Sequence, residues 1–354
     1  MAKEETGQAT KRTAIGGQAV LEGLMMMGPD KIALAVRLPD GSISLEYLSA
    51  DKPASRAAAV PVLRGGVRLF RQLVIGVKAL LRSADLMEEE PETEEPETEE
   101  PQTEPIPVET ELDVTDEAEP LADSADVVPS DEKASKPPKK DSGSAMLYAS
   151  AALGILLGVG LFILLPNLIT GLLNRVLPIG EGYGFGGTVL KNLIEGAFRI
   201  LLFVGYVALT SRQKDIRRVW MYHGAEHKTI ACYEHDLPLT VENIRPFSPR
   251  HPRCGTSFLF VVMLVSILLF AFAGWHSAII NLLIRLALVP LVAGIAYEII
   301  RWAGRHDNAL SRLVSLPGLA MQRLTAKEPD DDMIEVAIEA MKAVIPEQSG
   351  RDEW

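Results

Sequence analysis

The chain has 354 residues, 47% of them apolar, yet carries a formal net charge of −12. Its two cysteines exclude a disulfide-built scaffold, and its length leaves room for about two domains. Apolarity and charge coexist because they are segregated: between Met87 and Asp131 the chain is densely acidic, with no basic residue and much Pro, Thr and Ser. The remainder is net basic, so the acidic balance describes an insert and not the working surface.

No cleavable signal peptide is expected, because no apolar run follows the basic residues near the N-terminus. Gly-punctuated and Met-rich, "GGQAVLEGLMMMGP" suggests packing filler. The run "KIALAVRLPDGSISLEYL" predicts two strands turning at Pro39-Asp40-Gly41, where glycine permits the tight turn. Apolar positions at Leu63, Val67, Phe70, Val74, Val77 and Leu81 predict a helix over 61–87. Arg64, Arg68, Arg71, Lys78 and Arg82 give it a basic flank, suited either to a membrane surface or to packing on the hairpin. Residues 88–143 cannot bury a core and are expected to be a disordered linker.

Four membrane-spanning helices are predicted over 146–173, 188–209, 256–275 and 277–300. Each is long enough to cross about 30 Å of hydrocarbon at about 1.5 Å per residue. Lys and Arg crowd the segment before the first span, the 210–255 loop and the tail after the fourth, whereas the other connections carry few. The positive-inside rule then puts both termini and that loop in the cytoplasm. Glu195 and Arg285 fall at matching depths, about 10 and 12 Å from the outer ends of their helices. Buried charge in hydrocarbon demands a partner, so an interhelical Glu195–Arg285 ion pair is expected, with Arg199 one turn away as a competitor. An amphipathic helix over 329–345 follows a Pro-Gly break at "LPGLAMQRLT"; Asp330, Asp331 and Asp332 suit its positive N-terminal end. Four parts result: 1–87, the linker 88–143, the spans 144–303, and the tail 304–354.

The chemistry-bearing residues crowd into 220–256, which holds four of the six histidines and both cysteines. His223-Gly224-Ala225-Glu226-His227 is an H-x-x-E-H string. If it is helical, His223 and His227 share a face and can hold one metal ion, while Glu226 sits beside them as a general base. Such a string alone is a weak signal. Further ligands of the nitrogen and sulfur type that zinc or another divalent transition metal prefers lie in the same loop: His251 and Cys254 first, with Cys232, Glu234 and His235 as others. Three outcomes stay open: a hydrolytic metal site, a closed structural metal site, or hydrogen-bonded histidines without metal. No P-loop is present, which argues against an ATP-driven transporter, and few intramembrane polar residues argue against a channel.

The strings "GGQAVLEGLMMMGP", "YHGAEHKTIACYE", "LTVENIR", "HPRCGTSFLFVVMLVSI", "AGIAYEIIR" and "PGLAMQRLTAKEPDDDMIEVAI" resemble the YqhQ-like family of bacterial multi-pass membrane proteins. The likeness covers nearly the whole chain outside the acidic insert. It implies a bacterial inner-membrane location and a domain of unknown function that is at times labelled a metal-dependent enzyme. One departure is Met27, where the family pattern carries a basic residue.

The expected architecture is therefore an α-helical integral membrane protein of four spans, with a small α+β cytoplasmic N-terminal part near a cytoplasmic His/Cys loop. Two functions fit. One is a metal-dependent membrane hydrolase, with Glu226 as base, His223 and His227 as ligands and His251 or Cys254 as the third; Glu22 and Glu298 are further carboxylates that approach this face. The other is a non-enzymatic scaffold, or an accessory to membrane-protein insertion or complex assembly. Expected partners are the lipid bilayer and, at the basic cytoplasmic face, anionic lipid, a membrane-protein partner or ribosomal RNA; no specific DNA binding is expected.

Overall fold

A computed structural model describes residues 10–49, 60–88, 150, 152–154, 156–177, 184–274, 276–306, 308–348 and 350–352. The expected linker over 88–143 lies outside the described residues, save residue 88.

Four strands form an antiparallel meander: β1 (Gly16–Val20), β2 (Gly23–Met27), β3 (Ile32–Arg37) and β4 (Ile43–Leu48). The β3–β4 hairpin turns where Pro39-Asp40-Gly41 predicts, with Gly41 at φ 88°. The β1–β2 hairpin is an addition to the expected pair. Its turn places Glu22 at φ 48°, a left-handed position usually given to glycine or asparagine.

The period-two alternation of strands splits the sheet into two apolar faces. Leu24, Met26, Ala33 and Ala35 face α4 (Lys214–Glu234) and α9 (Asp331–Val344), meeting Tyr222, Ala225, Met333 and Met341. Met25, Leu34 and Val36 face α1 (Leu63–Glu88), meeting Ile75, Ala79 and Leu86. The result is a three-layer α/β/α sandwich in which two of the three consecutive methionines are wholly buried on opposite faces.

Among the described residues, four helices are long and apolar enough to cross a membrane: α2 (Ala152–Val176), α3 (Gly184–Thr210), α6 (Gly255–Ala273) and α7 (Ile279–Arg305, within a helix that starts at Ala278). Gly160–Leu164 in α2 form a π-helical turn. The outer surface of this bundle is leucine-rich, with Leu168 and Leu201 among the most exposed side chains. Its interior holds Asn192, Glu195, Arg199, Ser266 and Arg285, the reverse of a water-soluble bundle. Arg285 Nη2 donates to Glu195 Oε2 at 2.5 Å, and Arg199 Nη2 donates to Glu195 Oε1 at 2.6 Å.

Helix α1 joins the two halves. Its C-terminal part lies on the sheet, while near its N-terminus Gly65 packs directly on Gly294 and Tyr297 of α7. Arg64 adds a two-point ion pair with Glu298 at 2.6 Å. The packing on the sheet agrees with one of the two settings expected for this helix, and the contact with α7 is an addition.

Two segments differ from expectation. The 210–255 stretch is mostly helix, α4 and the short α5 (Val241–Ile244), because Tyr222, Ala225 and Ile230 recur on one face and bury against the sheet. The Pro-Gly pair does not break the tail: Pro317 and Gly318 lie inside α8 (Ala309–Thr325), which starts with a capping box between Asn308 and Ser311.

Candidate metal centre

The H-x-x-E-H string falls on α4, so His223 and His227 project from one face one turn apart, with ring centroids 4.3 Å apart. Cys254 is the N-cap of α6, where the Thr256 N–H donates to its Sγ at 3.3 Å. That cap brings the thiol to the histidines, with Sγ 3.1 Å from His223 Nε2. One ligand atom from each of His223, His227 and Cys254 lies within 4.8 Å of the others, and all three side chains are buried. A tetrahedral zinc site sets its ligand atoms about 3–4 Å apart, so small side-chain shifts would close this set on one ion.

The tautomers suit such a role. His223 Nδ1–H donates to the Thr325 carbonyl at 2.6 Å, and His227 Nδ1–H donates to the Pro249 carbonyl at 2.6 Å. Both Nε2 lone pairs are thereby aimed inward, the outer-shell pattern that orients metal-ligating histidines. His227 Nε2 is buried and accepts no well-directed hydrogen bond among the described residues. Leaving a buried acceptor unsatisfied costs free energy, which a cation between the rings would remove. The donor set and this orphaned nitrogen fit a divalent transition metal.

Glu226 stands beside the cluster. Its Oε1 accepts the Gly17 N–H of β1 at 2.8 Å, while Oε2 is buried without a partner among the described residues. Burial pushes its carboxyl above the ordinary range, against the opposing effects of His223 and the Gly17 N–H. A cavity of about 350 Å³ opens onto Glu226, His227, His251 and Cys254, with Gly17 and Met27 in its wall.

His251 sits next to this set, its ring 5.8 Å from that of His227, and its Nε2 is hydrogen-bonded to Glu234 Oε2 at 3.2 Å. Burial resists ionisation of Glu234, but His251, Arg253 and the Thr13 N–H outweigh it and hold the carboxyl below its usual range. Cys232 is buried in the sheet-facing core, and His235 Nδ1–H donates to the Ala231 carbonyl at 2.7 Å. Glu22 pairs with Arg218 at 2.5 Å and Glu298 with Arg64, so neither carboxylate lines the cavity. Backbone partners from Gly17, Pro249 and Thr325 complete the arrangement, and backbone atoms leave no signature in a sequence.

The chain matches the family model "Protein of unknown function (DUF1385)" over residues 60–347. It is 30% identical over 338 residues to the "Uncharacterized protein YqhQ" of Bacillus subtilis (strain 168), covering 94% of this chain and 92% of that protein. The chain belongs to the YqhQ-like family. No solved structure matches it. All of His223, Glu226, His227, His251 and Cys254 fall within the stretch that matches the family model.

Two predictions arise at this centre of the YqhQ-like fold. At Gly224, an added Cβ would run into the Lys327 carbonyl and crowd Pro249 Cβ at 3.3 Å. The 325–328 strap crosses α4 there, with the Lys327 N–H donating to the Trp220 carbonyl at 2.8 Å. Gly224→Ala should therefore lift the strap, weaken the Thr325–His223 contact and cost about 1–3 kcal/mol, read by thermal unfolding.

The second concerns pH. Burial lowers the pKa of both His227 and His251 from the ordinary 6.5. Above 6.5 they add no pH dependence; below it the unfolded chain takes up protons that the folded protein refuses, so stability falls as pH drops. Glu226, raised by burial, acts in the opposite sense. Metal-free Glu226→Gln protein should accordingly lose thermal stability steadily between about pH 6.5 and 5; a flat profile would contradict the buried neutral histidines.

Proposed function

We propose that this is an integral membrane protein carrying a divalent-metal centre at its cytoplasmic face, and that it is a metal-dependent hydrolase. The observation that carries this reading is the orphaned His227 Nε2 inside a buried His223, His227 and Cys254 set. The Lys and Arg distribution around the four apolar helices supports the orientation, and their leucine-rich outer surface supports membrane insertion.

A metal held by His223, His227 and Cys254 would supply Lewis-acid polarisation of a carbonyl or phosphoryl oxygen in the substrate. Three protein ligands would leave a coordination position open, as catalytic sites do. Glu226 Oε2, buried without a hydrogen-bond partner among the described residues, would accept and return a proton. Its other oxygen is held by Gly17, which fixes the carboxylate plane. The cavity that opens onto Glu226, His227 and Cys254 would receive the substrate group.

The scaffold reading has its own support in the tie that stitches the sandwich to the long apolar helices, Arg64–Glu298. Glu226→Gln separates the two. Glutamine keeps an acceptor for the Gly17 N–H but cannot take the proton. Native membranes incubated with wild-type or Glu226→Gln protein would be compared by untargeted mass spectrometry, beside elemental analysis of both proteins. Equal metal content, with water-addition products only in the wild type, is the expected result. Identical product profiles in two metal-loaded proteins would sink the hydrolase reading.

A further inference from the structure

A second cavity, of about 430 Å³, lies where α7 ends and α8 begins. Arg12, Arg253 and Arg312 line it together with His306, and the described residues of its wall include no carboxylate. Arg253 also pairs with Glu234, yet its buried Nε has no hydrogen-bond partner among the described residues. The rest of the lining is apolar, with Ile300 and Ala303 from α7 and Leu316 and Leu319 from α8. Cationic groups over an aliphatic floor suit a ligand that has both an anionic head and a hydrocarbon body.

Its position agrees. The cavity stands at one end of the apolar helix α7, where His306 stacks on Trp302 with ring centroids 5.0 Å apart. Tryptophan is enriched at the depth of lipid headgroups. Helix α8 leaves Leu310, Leu313 and Leu316 exposed in an i, i+3, i+6 row, the disposition of a helix lying in the membrane interface. Leu316 belongs to both that row and the cavity wall, so the floor continues into the surface that the acyl region would touch.

We infer that this cavity is a binding site for a membrane phospholipid of net negative charge, Arg12, Arg253 and Arg312 taking the phosphate and Ile300, Leu316 and Leu319 the start of the acyl chains. Arginine suits this because its planar fork binds phosphate oxygens two at a time. The inference does not depend on the metal reading, since none of these residues belongs to the His223, His227 and Cys254 set.

The test is native mass spectrometry of the full-length protein in neutral detergent, with phosphatidylglycerol and phosphatidylcholine of matched chains and with glycerol phosphate as free competitor. Phosphatidylglycerol should bind about tenfold more tightly than phosphatidylcholine, and glycerol phosphate should fail to displace it. Arg12→Gln/Arg312→Gln should weaken retention about tenfold. Gly304→Leu should do so without changing charge: a Cβ there lies 3.6 Å from Arg253 Cδ, so the longer side chain fills the cavity from the α7 side. Equal binding of the two lipids, or displacement by glycerol phosphate, would overturn the lipid assignment. Weakening by the arginine pair but not by Gly304→Leu would place the lipid elsewhere on the protein and overturn the site.

Discussion

Replacing Glu195 by leucine should cost about 3–5 kcal/mol, the expected penalty for removing one partner from a buried charge network. Glu195 is 1% exposed, and the two guanidiniums that converge on it, from Arg199 and Arg285, are nearly as buried. Both also lie about one ring-contact distance from Phe270, at 5.5 and 5.4 Å from its centroid. Without the carboxylate, two like charges would face each other across α3, α6 and α7. The triple replacement Glu195→Leu/Arg199→Leu/Arg285→Leu should be far milder, because an apolar trio needs no counter-charge. Unfolding in mixed micelles measures both. A single variant within about 1 kcal/mol of wild type would show that water or lipid headgroups, and not Glu195, satisfy the arginines.

Removing the metal from protein loaded at about a thousand times its dissociation constant should lower stability by about 4 kcal/mol, or roughly 10 °C in thermal midpoint. His227→Ala should show the same midpoint with and without chelator, since it lacks the inward nitrogen. His235→Ala is the control: its ring bonds within its own turn of α4, away from the cluster, so its response to chelator should match the wild type. A wild-type midpoint that ignores both chelator and added zinc would leave the orphaned nitrogen unexplained and remove the basis for a metal centre.

The parts of the fold that sequence conveys well are those set by local pattern. Uninterrupted apolarity locates the four long helices to within a few residues, and Pro39-Asp40-Gly41 announces its own hairpin. The β1–β2 hairpin hides because its turn uses Glu22 in a left-handed conformation, where no glycine or asparagine marks the reversal. Helix α8 hides for the converse reason. Its Pro317 and Gly318 look like a terminus, but Gly318 lies directly against Ser257 of α6, a closeness that no Cβ would allow. Long-range packing there overrides local propensity.

At the candidate site, residue type and spacing lead to His223, Glu226 and His227, because a helix brings i and i+4 together whatever surrounds it. Which distant group joins them is another matter. Cys232 lies closer in sequence than Cys254, yet it points into the sheet-facing core near the Leu237 and Pro238 carbonyls. Cys254 arrives only because α6 starts where it does. The second cavity has no sequence signal at all, being assembled from residues as far apart as Arg12 and Arg312.

The strap at Thr325 also fixes an order of events in biosynthesis. His223 is held by a carbonyl 102 residues downstream, and Cys254 reaches it only once α6 has taken its place. A nascent chain that has been made as far as α4 already carries the H-x-x-E-H turn, but with nothing to close around it. The pocket therefore matures after the last apolar helix and the strap behind it have been made, so any ion that it takes would be acquired by the finished polypeptide and not during its synthesis.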